Sequence, residues 1–89
     1  MKTIWKFQIL FLIKGNLTMP EKAKIVSVQM QGEIPTLWAE VDTDAPVEKR
    51  QFVFYGTGHR QDEGCYIGTF QSPPFVWHLY EVIRSSQAR

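Results

Sequence analysis

The residues with most chemical promise sit together at Gly56-Thr57-Gly58-His59-Arg60. Backbone N–H groups in a glycine-rich turn can form an anion nest, and the imidazole and guanidinium beside it would add charge-assisted donors. The ligand to consider there is a phosphate or a nucleotide, with Gly56, Thr57, Gly58, His59 and Arg60 as its contacts. The spacing is neither that of a P-loop nor that of a dinucleotide-binding turn, and no helical pattern follows to lend its N-terminus. The plainer reading is a strand ending in a bulged turn. A second aromatic-Gly-Thr run, Tyr66-Ile67-Gly68-Thr69-Phe70, lies just beyond a short polar loop. Glycine in such places marks a turn, a bulge, or a spot where something lies against bare backbone.

Other groups offer less. His59, Cys65 and His78 are separated by intervals that match no paired zinc-ligand spacing, and no fourth ligand is evident. No metal is therefore expected. Asp42, Asp44 and Glu48 look like part of a calcium loop, but its glycine and its bidentate glutamate are missing, so a solvated loop is the simpler account. Cys65 with either histidine could be a nucleophile and base, and Glu40 with Glu81 an acid and base, yet no pattern supplies an orienting group or an oxyanion site. The sequence therefore points away from an enzyme and implies no cofactor.

The elements that would hold these residues are strands. Eighty-nine residues make one domain with a single modest core. The aromatic share is 13%, from six Phe, three Trp and three Tyr, enough large rings to supply much of the burial energy. Aromatic and β-branched residues recur in short runs separated by Gly, Pro and Asp, which is the pattern of an all-β domain with tight turns. The spacing predicts strands over 2–12, 23–31, 34–41, 50–55, 66–71 and 75–83, with Leu17 to Pro20 approaching a further turn. Lys14-Gly15-Asn16 and Pro20-Glu21-Lys22 read as turns, and Gly32-Glu33 as the link of a hairpin. Val26, Val28 and Met30 should share one face. Leu37, Ala39 and Val41 should share another, opposite Thr36, Trp38 and Glu40. Pro35 argues that its end of the strand lies at an edge, and large groups on both faces of the last strand argue that it is central. Six to seven short antiparallel strands in a barrel-like or sandwich arrangement over 1–83, followed by a flexible tail at 84–89, is the architecture expected.

Net charge is +1, which gives no strong field towards nucleic acid or an anionic membrane. No apolar run reaches the roughly 20 residues needed to span a bilayer. The apolar start, broken by Lys6 and Gln8, reads as a strand, not a signal peptide. One cysteine excludes an internal disulfide and is compatible with a reducing compartment. Among the rings, Trp38 lies on the more polar face of its strand, so an interface is the natural use for it. Tyr80 and Phe11 are the other interface candidates.

The joint pattern Met19-Pro20-x-x-Ala23-Lys24-Ile25, Pro35-x-Leu37-Trp38-Ala39-x-Val41-Asp42, Tyr55-Gly56-Thr57-Gly58-His59, Tyr66-Ile67-Gly68-Thr69-Phe70-Gln71 and Phe75-Val76-Trp77-His78-x-Tyr80-Glu81 resembles a family of small proteins encoded by bacteriophages and prophages. The resemblance runs from Lys2 to about Glu81. That family is classed as of unknown function, so it transfers no catalytic or binding residue. Its members tend to carry Gly where this chain has Lys22, and a more polar turn where it has Phe11 to Lys14. The second departure leaves extra apolar surface that could serve an oligomer contact. The resemblance implies a phage-derived protein acting in a bacterial cytoplasm. Edge strands and the aromatic surplus favour association, so the expectation is a non-enzymatic accessory protein that binds a host or phage protein, or a second copy of itself as a homodimer.

Overall fold

The computed structural model describes residues 1–83; the tail expected at 84–89 lies outside the described residues. Seven strands form: β1 (Lys2–Gln8), β2 (Lys14–Pro20), β3 (Lys24–Gln31), β4 (Ile34–Asp42), β5 (Val47–Gly56), β6 (Cys65–Ser72) and β7 (Phe75–Val82). They make two antiparallel sheets, in the orders β1-β4-β3 and β2-β5-β7-β6. Among the described residues no ladder joins one sheet to the other, so the fold is a sandwich and not a closed barrel. Alternation decides the layers. Leu37, Ala39 and Val41 of β4 face Phe52 and Phe54 of β5, Leu79 of β7 and Phe70 of β6, with Met19, Val28 and Ile9 closing the same core. Among the described residues no buried side-chain nitrogen or oxygen lacks a partner.

Several expectations from the sequence need correction. The first strand stops at Gln8, not residue 12: the Ile9 N–H still bonds the Pro35 carbonyl at 2.9 Å, but Pro35 has no N–H to return the bond, so the ladder goes no further. Lys14-Gly15-Asn16 is not a turn but the start of β2. Gly15 is bare because the Phe11 ring lies on it: a Cβ there would sit 2.5 Å from that ring. Val26 does not share a face with Val28, since a bulge between Ile25 and Ser27 turns it out to 50% exposure. Pro35 lies on the central strand of its sheet, not at an edge. Its nitrogen points the same way as its carbonyl, towards Ile9, so the missing donor falls where the β1–β4 ladder ends and interrupts no bond within it.

Thr36 shares the outer face of its strand with Trp38 and Glu40, as the alternation predicts, yet it is fully buried at 0% exposure. Gln8 and Gln29 flank it on the neighbouring strands, and its hydroxyl donates to the Ile34 carbonyl at 3.0 Å. The last strand is central, as its two bulky faces implied. The hairpin at Gly32-Glu33 also forms, with Gly32 at φ +63°.

The sheets meet most tightly at β3 and β6. A Cβ on Gly68 would fall 2.6 Å from Val28 Cγ1, a short, stiff group in the core. Gly68→Val is therefore expected to push the sheets apart and cost about 2–3 kcal/mol. Val28→Ala in the same chain should return part of it. Urea midpoints of the three variants check this, and additive losses would show that the two side chains do not collide.

Candidate functional site

The connection from β5 to β6, residues 57–64, is a crossover. Both strands run antiparallel to β7, which lies between them, so the chain must pass over the outer face of the sheet. It runs exposed along its length. Tyr55 moors it: the hydroxyl accepts from the N–H of Asp62 (3.3 Å) and of Glu63 (3.0 Å) and donates to the Glu63 carbonyl (2.8 Å). Lys14 Nζ adds an ion pair to Glu63 at 2.6 Å.

The Gly56–Arg60 turn begins this strap, and its polar groups are turned on one another. The Gly56 N–H donates to His59 Nδ1 (3.1 Å), the His59 N–H to the Gly56 carbonyl (2.9 Å) and the Thr57 N–H to the Val76 carbonyl (3.3 Å). Gly56 is bare because the His59 ring covers it; a Cβ would lie 2.8 Å from that ring. The imidazole also stands edge-on to Trp77, with centroids 6.1 Å apart. Gly58 is exposed at φ +88°, and the Arg60 guanidinium is paired with Asp62 at 2.7 Å. Three of the turn's amides are thus engaged within the chain, and the convergent donors that a phosphate needs are not assembled.

The doubled Gly-Thr has a different meaning, which sequence reasoning missed. Thr57 Oγ1 lies 2.8 Å from His78 Nε2, and Thr69 Oγ1 lies 2.9 Å from His78 Nδ1. Tyr66 continues the chain, its hydroxyl 2.6 Å from Thr69 Oγ1. A hydroxyl can donate or accept, so this row satisfies the imidazole in either charge state and ties the strap to β7 and β6. The signal available in the sequence was a lone strand histidine downstream of two threonines that each follow a glycine.

The remaining candidates stay apart. Cys65 is exposed and pairs in register with Glu81 at one end of the sheet, while His59 sits at the other. Among the described residues no three metal-ligating groups converge. Glu40 is on the outer face of one sheet, whereas Glu81 is inward in the other, bound to Arg50. Trp38 lies between Lys6 and Ser27 on an outer face, half-buried. Tyr80 stands edge-on between Tyr55 (5.3 Å) and Tyr66 (5.5 Å).

The two ends of the sandwich differ sharply. One carries Glu21, Lys22, Asp42, Asp44 and Glu48 around its turns. Asp42 there is held below the usual carboxylate range by the Asp44 N–H and then by the terminal ammonium. Near this end Arg50 reaches inward. Its Nε and Nη2 grip both Glu81 oxygens at 2.7 and 2.8 Å, and Nη1 donates to the Ala23 carbonyl at 2.7 Å. Its acidity is weakened further, first by the Glu81 hydrogen bonds, against the opposing effect of burial.

The other end is apolar. There the β1–β2 connection crosses between the sheets over a cleft of about 360 Å³, lined by Ile9, Phe11, Met30, Pro35, Phe54 and Trp77, among others. Phe11 is not outward-facing: it is half-buried on Gly15, with its ring 5.7 Å from that of Phe54. Its neighbours are the exposed ones, Leu10 at 75%, Leu12 at 90% and Ile13 at 55%. A second cleft of about 390 Å³ lies across Trp77, between His59 and Phe75, the latter 60% exposed.

Fold and site together define a small antiparallel β-sandwich with one charged and one apolar end. By sequence the chain belongs to the family described as domain of unknown function (DUF7352), which it matches over residues 1–89. Neither a curated protein nor a solved structure matches it. No helix among the described residues is long and apolar enough to cross a membrane.

Proposed function

We propose that this is a phage- or prophage-derived accessory protein of the bacterial cytoplasm that acts without catalysis, by holding a protein partner on the apolar end of its sandwich. The observation that carries this reading is the exposure of Leu10, Leu12 and Ile13 above an apolar cleft. Water-exposed aliphatic groups gathered beside a cleft are the mark of a docking surface and are rare without one. The separation of the acid, base and nucleophile candidates supports a binding role, and the single exposed cysteine fits a reducing compartment. Phage origin rests on the sequence pattern given above.

The test is capture of partners from bacterial extract on the immobilised protein and on its Leu12→Asp variant. Leu12 touches so little of the fold that the variant should keep the parent's melting temperature within about 2 °C. A partner held by the parent should be lost at least about tenfold by the variant. Equal capture by both would remove the apolar end from the reading.

A further inference from the structure

We infer that the occupant of the apolar end is a second copy of this chain, docked about a two-fold axis so that Leu10 and Leu12 of each copy enter the cleft of the other. This rests on the docking role proposed above and names its partner.

The first argument is presentation. Within the β1–β2 connection alternate residues are pinned. Ile9 is buried and bonded to the Pro35 carbonyl, Phe11 is clamped on Gly15 and Phe54, and the Ile13 carbonyl accepts from the Phe54 N–H at 2.8 Å. Leu10 and Leu12, lying between these anchors, are driven outward. A knob fixed in advance loses little conformational freedom on docking.

The second argument is fit. The cleft has about 360 Å³, room for one or two aliphatic side chains; Leu10 and Leu12 form part of its own lining, together with Ile9, Met30, Pro35 and Trp77. Knob and hole thus occur on the same surface, which is what an isologous two-fold contact requires.

The third argument is charge. Two identical surfaces bring like charges together. Glu33 is the one ionisable residue among those lining this cleft, and His59 the one lining the cleft across Trp77. Lys14 and Glu63 nearby neutralise each other, as do Arg60 and Asp62. The opposite end carries both signs, with Lys2 and Lys22 beside Glu21 and Asp42, and with Asp42 and Asp44 paired to the terminal ammonium. Self-association therefore meets little like-charge repulsion at the apolar end.

Sedimentation velocity on the full chain over about 1 µM to 1 mM tests this. The parent should pass from monomer to dimer with concentration, with the Trp77 region becoming drier and total tryptophan emission shifting to the blue. Leu12→Asp should raise the dimer dissociation constant by about 150-fold or more, the factor expected when a two-fold dimer loses one buried leucine from each copy. An unchanged near-ultraviolet circular dichroism spectrum would show that the variant is folded. A parent that stays monomeric throughout overturns the inference, as does a dimer that survives both Leu10→Asp and Leu12→Asp. A monomeric parent that still captures a different protein through Leu12 would overturn the self-pairing alone and leave the docking role standing. A monomeric parent with no Leu12-dependent partner would remove both.

Discussion

Replacing Phe54 with alanine is expected to lower the folding stability by about 4 kcal/mol. Phe54 is 5% exposed and stands at the hub of an aromatic cluster. Its ring centroid lies 5.6 Å from Phe70, 5.7 Å from Phe11 and 6.4 Å from Trp77. Removing it takes away the transfer free energy of a large ring. It also leaves a void that opens into the adjoining cleft and breaks three ring contacts, each worth about 0.5–1.5 kcal/mol beyond area. A domain of this size has a total stability of about 5–15 kcal/mol. The variant should therefore melt some 20 °C lower, at about 5 °C for each kcal/mol. Phe54→Leu keeps most of the volume and should cost about 1–1.5 kcal/mol. Urea unfolding at constant slope measures both. A loss under about 2 kcal/mol for the alanine variant would show that the cluster is not the centre of the fold.

The second large effect is electrostatic. Arg50 and Glu81 have side-chain exposures of 16% and 12% and make a two-pronged pair, with the third guanidinium arm on the Ala23 carbonyl. The pair joins β5 to β7 and both to the β2–β3 turn. Glu81→Ala would leave a guanidinium in a largely desolvated place without its counter-ion, at an expected cost of about 3–4 kcal/mol. Arg50→Met with Glu81→Leu removes both charges and keeps the bulk, and should recover most of that loss. The double variant thus separates the worth of the pair from the penalty of orphaning one member. If the double variant were as unstable as Glu81→Ala, geometry at the Ala23 carbonyl would matter more than charge.

Much of this architecture was readable in the chain because it follows from alternation. Leu37-x-Ala39-x-Val41 and Phe52-x-Phe54 declared their inner faces, and Gly32-Glu33 declared its hairpin. The misreadings share one cause, which is contact between residues far apart in sequence or on adjoining elements. Gly15 looked like a turn because nothing in its own neighbourhood says that Phe11 folds back onto it. Val26 left its expected face through a bulge, which the alternating pattern hides. The site was less legible for the same reason. Gly56-Thr57-Gly58-His59 has the composition of an anion nest, but His59 turns onto Gly56 and occupies it. His78 became notable only when register brought Thr69 and the strap brought Thr57 to its two nitrogens. The exposure of Leu10 and Leu12 depends on Ile9 and Phe11 facing inward, which only the crossing between sheets imposes.

The position of β7 also bears on the order in which the protein can assemble during synthesis. β1, β3 and β4 can pair as soon as Asp42 has left the ribosome, and β2 can join β5 soon afterwards. Among the described residues β6 has no hydrogen-bonding neighbour strand other than β7. A nascent chain paused before Phe75 therefore holds β6 as an orphan and leaves one side of β5 bare, its inner aromatics uncovered. β7 is the wedge that closes the larger sheet, so it must slot between two neighbours that were both made before it.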